Sequence, residues 1–297
     1  METRKHFLIV NLIAGQGRCK ALFPGVRKEL DRRGVAYDLH YTNEPMEAKH
    51  VAQMGIDAGF THIVAMGGDG TINEVANGLV GSEAILAVIP AGTGNDFVRM
   101  TGIPGDPIRA IDLLQEGTPR TIDLGRVADD RCFVNGLGIG IDAQVGRNVL
   151  KRGKSSGARV YLTEAIKEVF RFQAFPVRLE GDGWSDERAC LSLGVANGRY
   201  CGGGFQLAPR ASIDDGLIDI AAIGDFPKLE RLIRLPQARK GNHLKLGQVF
   251  YRQAGSVTIS SEAKLIAHVD GEPYQLPREG AIRVEAVPLS LRVLVPS

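Results

Sequence analysis

The chain has 297 residues, of which 44% are hydrophobic, and its formal net charge is only +2. This length is long for one domain and comfortable for two, and the hydrophobic fraction is enough for ordinary buried cores. A net charge so close to zero excludes the global positive field of many nucleic-acid-binding proteins, so we expect no nucleic-acid partner. No apolar stretch approaches the roughly 20 residues of a membrane span, and four scattered cysteines favour a reducing cytoplasm.

Strands and helices alternate in the N-terminal part of the chain. The strand-like runs are FLIVNL at 7–12, YDLHYT at 37–42, HIVAM at 62–66 and AILAVIP at 84–90. Helix-like stretches at 20–33 and 45–58 separate the first three of them. Continuous apolar strands separated by helices predict a parallel sheet that is covered on both faces. We therefore expect a three-layer α/β domain over residues 1–126.

The pattern changes after residue 126. Short β-rich runs follow, separated by Gly, Asp and Pro. This pattern is typical of an antiparallel β-sandwich, which we expect over residues 127–287. Two helical segments, near 158–172 and 226–240, interrupt it.

Three glycine-rich turns follow strands of the N-terminal domain: AGQG at 14–17, GGDG at 67–70 and AGTGND at 91–96. Turns at the carboxyl ends of parallel strands are where open α/β sheets bind ligands. Glycine lets the backbone approach a phosphate closely, and the helix that follows offers free N–H groups and the positive end of its dipole. Each turn is therefore a candidate anion site.

Asp69 is the unusual member of the second turn. A carboxylate repels a phosphate unless a cation lies between them, so Asp69 indicates Mg²⁺ and a nucleoside triphosphate. The alternative is that Asp69 caps a helix starting at Thr71. Three such turns on one sheet favour the magnesium interpretation. No G-x-G-x-x-G follows the first strand, which argues against a dinucleotide fingerprint.

Four longer motifs carry a resemblance to a known family. They are GGDGTINEVANGL at 67–79, PAGTGNDFVR at 90–99, RYCGGGFQLAPRASIDDGLIDI at 199–220 and VDGEP at 269–273. With them the chain resembles, over essentially its whole length, the bacterial diacylglycerol kinase-like lipid kinases, relatives of sphingosine and ceramide kinases. The resemblance implies a nucleotide domain like that of phosphofructokinases and NAD kinases. It also implies a β-rich C-terminal domain and a last strand, within 288–297, that returns to the N-terminal domain.

The resemblance further implies ATP as phosphoryl donor and Mg²⁺ as cofactor. The implied nucleotide-binding residues are Asn11, Gly15, Thr42, Gly67, Gly68, Asp69, Gly70, Thr71, Asn73, Thr93 and Asp96. Asp69, Asp96 and Asp123 are implied to organise the Mg²⁺–phosphate region, with Asp69 among the catalytic residues. From the sequence alone, a structural role is favoured for Asp123. The chain departs from the family at Leu12, where the first turn usually has proline after the asparagine.

The VDGE segment corresponds to the family motif that carries the general base. The resemblance thus implies Asp270 or Glu272 as the group that takes the proton from a lipid hydroxyl. The residues by themselves predict a hairpin turn, because Asp-Gly is first a hairpin signal. They do not decide between the two carboxylates.

The SIDDGLID turn at 212–219 corresponds to a structural Mg²⁺ site in relatives, although a bare β-turn is the alternative. Its implied ligands are the Asp215 side chain and the backbone carbonyls of Ser212 and Leu217. A hard cation with few carboxylates and several waters fits such a set. Packing or surface roles are expected for the histidines without metal-ligand spacing, His40, His62, His243 and His268.

Two basic segments, 151–159 and 228–252, carry Lys and Arg beside apolar residues. They predict a face that docks reversibly on an anionic membrane, the alternative being a solvated helix face whose leucines pack on the core. We therefore expect a cytoplasmic lipid kinase, peripheral at the inner face of the membrane, that phosphorylates a hydroxyl of diacylglycerol or a similar lipid; a homodimer is left open. The alternatives are a NAD kinase-like enzyme and a non-catalytic nucleotide- or lipid-binding regulator.

Overall fold

The computed structural model describes residues 4–128, 131–152, 158–277 and 280–297. The chain divides into two compact units: unit 1 comprises Met1–Leu124 and Pro288–Ser297, and unit 2 comprises Gly125–Val287. Unit 1 is α/β, and unit 2 is built mainly of antiparallel strands. The fold class predicted from the sequence is therefore confirmed.

Unit 1 holds a parallel sheet with helices between its strands. Its elements are, in chain order, β1 (His6–Val10), α1 (Arg18–Arg32), β2 (Tyr37–Tyr41), α2 (Glu47–Asp57), β3 (His62–Gly67), α3 (Asp69–Leu79), β4 (Ile85–Pro90), α4 (Asp96–Thr101), α5 (Pro107–Ala110) and α6 (Asp112–Glu116). The strand order is β2–β1–β3–β4, and these neighbours pair in parallel. β3 and β4 are buried along their whole length, as expected for a parallel sheet covered by helices.

Unit 2 is an antiparallel β structure with three α-helices and two short 3₁₀ helices among its described residues. The elements that follow α6 are β5 (Thr118–Val127), β6 (Arg131–Phe133), β7 (Gly136–Gly140), α7 (Ile141–Lys151), α8 (Ala158–Arg171), β8 (Phe175–Gly181), β9 (Trp184–Ala196), β10 (Ile218–Gly224), α9 (Lys228–Arg234), β11 (Val249–Ala254), β12 (Ser256–Ser260), β13 (Ala267–Val269), β14 (Glu272–Tyr274) and β15 (Ile282–Val295). The order β14–β13–β7–β9–β8–β12–β15 runs through the unit, and β10 and β11 extend from β9. Phe133, Leu193 and Val284 are fully buried in its hydrophobic core.

The β structure expected after residue 126 is interrupted by a helix, α7, that was not predicted from the sequence. Ile141, Val145 and Val149 recur at every fourth position, which is a helical spacing. Ile141 and Val145 are buried, so this spacing gives α7 a core-facing side. Of the two predicted helical segments, one corresponds to α8 and the other to α9 with a following 3₁₀ helix. No helix among the described residues has the length and apolar character needed to cross a bilayer.

The last residues of the chain complete unit 1. Arg292 in β15 pairs in parallel with Ile85 in β4. Oδ1 of the completely buried Asp123 accepts a hydrogen bond from the Leu289 N–H at 2.7 Å. The Asp123 carboxylate therefore helps to hold the returning segment against β5.

Candidate functional site

The three glycine turns of unit 1 lie against each other at the carboxyl ends of β1, β3 and β4. Asn11, directly after β1, donates from Nδ2 to Thr71 Oγ1 at 3.0 Å. Ala91, directly after β4, donates its N–H to the carbonyl of Gly67 at 2.8 Å. A Cβ on Gly15 would lie only 2.4 Å from the carbonyl oxygen of Ala91. The residues predicted from three separate motifs thus meet in one place.

Backbone contacts explain why glycine occupies these turns. A Cβ on Gly92 would lie 2.5 Å from the Cα of Gly68, and a Cβ on Gly68 would lie 3.2 Å from the Cα of Gly92. Gly15 also has a φ of +61°, a conformation that glycine adopts without steric cost. Because the turns carry so few side chains, a phosphate can approach their N–H groups closely.

Asp69 connects the second turn to the third. Its Oδ1 accepts hydrogen bonds from the N–H groups of Asp96 at 2.8 Å and Phe97 at 3.4 Å, so the carboxylate caps α4. Helix α3 begins at Asp69 itself, and Gly68 is its N-cap. The alternative in which Asp69 caps a helix starting at Thr71 is therefore wrong. The carboxylate lies at the N-termini of two helices, where negative charge is stabilised.

The remaining predicted nucleotide residues differ in exposure. Thr42 follows β2 directly and donates its N–H to the carbonyl of Val10, beside the end of β1. Thr93 in the third turn is exposed, whereas Asn73 in α3 is buried and accepts a hydrogen bond from Asn77 Nδ2 at 3.3 Å. Gly70 lies in the first turn of α3.

Two polar groups beside the third turn were not predicted from the sequence. Arg18, at the start of α1, donates from Nη1 to the carbonyl of Gly92 at 3.3 Å. Asn95 Oδ1 is buried and has no hydrogen-bond partner among the described residues. A buried polar atom without a partner is unfavourable, so this turn is suited to receive a further polar group. The arginine directly after AGQG is the sequence signal that could have indicated the positive charge.

The VDGE segment of unit 2 forms a tight hairpin between β13 and β14. Asp270 and Gly271 have φ angles of 48° and 86°, as the positive-φ positions of a type I′ turn require. The Asp270 carboxylate accepts hydrogen bonds from three backbone N–H groups, those of Val134 at 2.8 Å, Asn135 at 2.9 Å and Gly136 at 2.8 Å. Glu272 is exposed at the start of β14. The two candidate base carboxylates are therefore in very different environments.

His268 anchors the same hairpin, a role that the sequence did not indicate. The Gly271 N–H donates to His268 Nδ1 at 3.2 Å, and His268 Nε2 lies 3.0 Å from Oδ2 of Asp142 in the first turn of α7. Ser192 Oγ donates to the other oxygen of Asp142 at 3.3 Å. Because residues 142 and 268 lie 126 positions apart, no local motif could reveal this contact.

The His268–Asp142 pair shifts the pKa of both partners. Burial by itself would raise the pKa of Asp142, but hydrogen bonds from His268 and from backbone N–H groups outweigh it, so this pKa is lowered. Burial would likewise lower the pKa of His268, but the Asp142 carboxylate outweighs it, so this pKa is raised. The carboxylate is thus held in its ionised form.

The SIDDGLID turn leads into β10. Asp215 is exposed, and its Oδ1 accepts a hydrogen bond from the Leu217 N–H at 3.1 Å. Gln253 Nε2 lies 3.5 Å from the other oxygen of Asp215. Asp214 instead accepts a hydrogen bond from Ser212 Oγ at 2.7 Å. The two adjacent aspartates are therefore distinguished by their partners.

The last residue of this segment is a buried carboxylate. Asp219 is completely buried and is hydrogen-bonded to Tyr251, and its pKa is raised, chiefly by burial and also by the Asp215 carboxylate. Among the described residues, no cluster of three or more His, Cys, Asp or Glu side chains has metal-binding geometry. A cation here would depend on Asp215, backbone carbonyls and water, which are oxygen ligands of the kind that Mg²⁺ prefers.

An exposed apolar surface lies on α8 and α9 of unit 2, which pack against each other. This helical patch consists of Tyr161, Leu162, Ile166 and Phe170 on α8 and of Leu229, Leu232 and Ile233 on α9. Leu229 and Ile233 are 74% and 68% exposed and do not pack on the core, whereas Leu235 of the same segment is partly buried and packs against a core cluster. The alternative in which the apolar side chains pack on the core is therefore wrong for the first two and holds for Leu235.

Cations lie in the same part of the sequence as the patch. Those that are exposed in and after α9 include Lys228, Arg239, Lys240 and Lys245. Arg231 must be removed from the predicted basic face, because it is buried and forms an ion pair with Asp225 at 2.6 Å. The basic segment 151–159 lies largely outside the described residues, which omit 153–157.

Family models match most of the chain. Residues 5–127 match the model described as diacylglycerol kinase catalytic domain. Residues 136–295 match the model described as YegS C-terminal NAD kinase beta sandwich-like domain. The first match contains the three glycine turns, and the second contains the hairpin of the VDGE segment.

Individual proteins match over almost their full length. A "Probable lipid kinase YegS-like" of Pseudomonas putida is 35% identical over 91% of this chain and 88% of its own. A "Diacylglycerol kinase" of Mycobacterium tuberculosis is 30% identical over 99% of this chain and 96% of its own. The crystal structure of a diacylglycerol kinase from Bacillus anthracis shares the fold, with 24% identity, a TM-score of 0.75 and coverage of 99% of this chain and 98% of that one. The chain belongs to the diacylglycerol kinase-like lipid kinase family.

Proposed function

We propose that this protein is an ATP- and Mg²⁺-dependent kinase that transfers the γ-phosphate to a hydroxyl of diacylglycerol or a similar lipid. The observation that carries the proposal is the mutual contact of three glycine turns in unit 1, two of which Asp69 joins. Membership of the family supports the kinase activity, and the names of the relatives support a lipid acceptor.

The glycine turns fit a triphosphate chain. Gly68 and Gly92 have no Cβ, and a Cβ on either one would contact the backbone of the neighbouring turn. The backbone of both turns is therefore accessible to a phosphate. The N-terminus of α3 adds the positive end of a helix dipole. Arg18 places a guanidinium beside the third turn, which favours an anionic ligand.

Asp69 and Asp96 are the residues that would hold Mg²⁺ beside the phosphates. A carboxylate in an anion site is unfavourable unless a cation is bound with the anion. Mg²⁺–ATP supplies the transferable phosphoryl group and neutralises charge during transfer. Asp69 also fixes the third turn, because its carboxylate accepts hydrogen bonds from the first N–H groups of α4.

Glu272 is the better candidate for the general base. A base must reach the proton that it removes, and Glu272 is exposed whereas Asp270 accepts three backbone N–H bonds. Asp270 therefore holds the hairpin on the 134–136 segment. Glu272 would accept the proton of the lipid hydroxyl as that oxygen bonds to the γ-phosphorus and the bond from the γ-phosphorus to ADP, the leaving group, breaks.

The activity is tested by transfer of labelled phosphate from ATP to diacylglycerol in vesicles. We expect Glu272→Gln to reduce kcat by at least about 100-fold, the usual contribution of a general base, while ATP still binds. Glu262→Gln, which changes another exposed carboxylate, is the matched control and should retain activity. Wild-type turnover by Glu272→Gln would refute the assignment of the base. Label on NAD rather than lipid would favour the NAD kinase alternative, and ATP binding without any transfer would favour a regulator.

We also propose that the helical patch docks on an anionic membrane surface, from which the lipid substrate is taken. Leu162, Ile166 and Phe170 recur at every fourth position and form one exposed apolar stripe along α8. Exposed cations in and after α9 complement anionic headgroups, and each contributes about 1 kcal/mol near such a surface. Apolar insertion and charge attraction together favour a reversible peripheral contact.

Docking is tested by co-sedimentation with vesicles that contain or lack phosphatidylglycerol. We expect binding only with the anionic lipid, and the double variant Leu229→Ser/Ile233→Ser should weaken it by at least about tenfold, because two apolar side chains no longer insert. Met54→Ser, at an exposed apolar position in α2, is the control and should bind normally. Binding that does not depend on lipid charge, or a double variant that binds like the wild type, would refute the docking proposal.

A further inference from the structure

We propose that His268 is a positioning residue for the reaction: it fixes the turn that presents Glu272, and Asp142 holds its ring in place. The inference rests on the proposed function, in which Glu272 is the base. His268 acts through the peptide between Asp270 and Gly271 and need not touch the substrate.

The hydrogen bond between Gly271 and His268 is additional to the strand ladder. In a two-residue hairpin the strands pair up to the residues that flank the turn, here Val269 and Glu272. The Gly271 N–H lies outside that ladder, yet it donates to His268 Nδ1. The Asp270 N–H donates to the carbonyl of Gly136 at 2.9 Å. Both N–H groups of the turn are therefore bound, which fixes the direction in which the chain enters β14.

The imidazole ring is held at both nitrogens. Because Nδ1 accepts the Gly271 N–H, the proton of the neutral ring is on Nε2, which faces the Asp142 carboxylate. Asp142 is fixed in turn by Ser192 and by backbone N–H groups at the start of α7. A ring bound on both sides has one orientation, as a group that positions a catalytic residue must have.

The packing around the pair leaves no room for another side chain. A Cβ on Gly138 of β7 would lie 2.3 Å from His268 Nε2 and 2.4 Å from Asp142 Oδ2. Gly138 lies opposite His268 in the pairing of β7 with β13. The glycine at this position in the sheet therefore accommodates the histidine–carboxylate contact.

The position of the turn matters because Glu272 is exposed. A general base must lie within hydrogen-bond distance of its proton, and a displacement of about 1 Å in such a geometry can cost about 100-fold in rate. Loss of the Gly271–His268 bond frees the central peptide of the turn. The expected effect is on kcat, with little effect on nucleotide binding.

Two substitutions separate positioning from stability. In His268→Asn the amide oxygen occupies the place of Nδ1 and still accepts the Gly271 N–H, but the contact with Asp142 is lost. In His268→Gln the amide nitrogen occupies the place of Nε2 and still donates to Asp142, but the acceptor for Gly271 is lost. Asp142 is left without its ring partner only in the Asn variant, so the Asn variant should be the less stable one.

We expect the activity to rank in the opposite order. His268→Gln should lose at least about tenfold in kcat with an unchanged KM for ATP, whereas His268→Asn should stay within about threefold of the wild type. His50→Gln, on the exposed surface of α2, is the control and should match the wild type. If kcat follows thermal stability, so that the Asn variant is the less active, His268 has only a structural role and the inference is overturned.

Hydrogen exchange gives a test that does not depend on activity. The Gly271 N–H should be protected in the wild type and in His268→Asn, and it should exchange at least about tenfold faster in His268→Gln. A Gly271 amide that exchanges in the wild type as fast as a free turn amide would overturn the inference. Failure of the inference is distinguishable from failure of the proposed function, because only the latter predicts that Glu272→Gln remains active.

Discussion

Replacement of Asp69 separates its structural role from its proposed role in Mg²⁺ binding. Asp69→Asn keeps a carbonyl oxygen that can accept the N–H groups of Asp96 and Phe97, and Asn is about as good a helix cap as Asp. Asp69→Ala removes both the acceptor and the charge. Since the two hydrogen bonds measure 2.8 Å and 3.4 Å, only the first is strong, and we expect the Ala variant to lose about 1 kcal/mol in the free energy of unfolding.

The assay combines urea unfolding with calorimetric titration of ATP in Mg²⁺ and in EDTA. Asp69→Asn should be within about 0.5 kcal/mol of wild-type stability, because the cap remains. Its ATP affinity in Mg²⁺ should nevertheless fall at least about tenfold, and it should depend little on Mg²⁺, because the carboxylate that requires the cation is gone. Asp38→Asn, at an exposed position in β2, is the control. If the Asn variant keeps the wild-type dependence of ATP affinity on Mg²⁺, the carboxylate is only a helix cap and the magnesium argument fails.

Three further outcomes are expected. Gly92→Ala should weaken ATP binding and lower the free energy of unfolding by about 1–3 kcal/mol, because the new Cβ meets neighbouring backbone. Gly105→Ala, where a Cβ has no atom within 4 Å, should do neither. If the two variants had equal effects, the contact at Gly92 would not explain them. Burial is the main cause that lowers the pKa of His62 from 6.5 to about 4. Between pH 6.5 and 4 the unfolded chain therefore takes up a proton that the folded chain does not, and the free energy of unfolding in urea should fall by up to about 3 kcal/mol. The same pH profile in His62→Gln would contradict this. Mg²⁺ bound at the SIDDGLID turn, at tenfold its Kd, should stabilise the wild type by about 1.4 kcal/mol. This increase should vanish in Asp215→Ala but not in Asp214→Ala, and the reverse result would make Asp214 the ligand.

The fold class was predictable because its signals are local. β3 and β4 are short apolar runs bounded by glycine turns, and a buried parallel strand shows such a pattern in any context. Helix α7 was missed because its apolar positions follow directly on the glycine-rich strand β7. A run of small and apolar residues fits strand and helix equally well where no turn signal separates the two.

The candidate site was predictable only where it is built from motifs that are each visible in the sequence. The glycine turns are each visible in the sequence, and the parallel sheet explains why they meet. The partners of Asp69 and Asp270 were not visible, because each carboxylate caps backbone that is distant in the chain. The contact of His268 with Asp142 has no local signal either. Such contacts depend on register and packing, which one sequence does not reveal.

The return of β15 to unit 1 has a consequence for protein synthesis. Asp123 and the edge of β4 acquire their partners Leu289 and Arg292 only after the whole of unit 2 has been translated. Unit 1 of a nascent chain therefore has an open sheet edge until unit 2 has been synthesised. A chain that stops before Pro288 would leave that edge exposed to aggregation, although it would lack none of the residues expected to contact ATP.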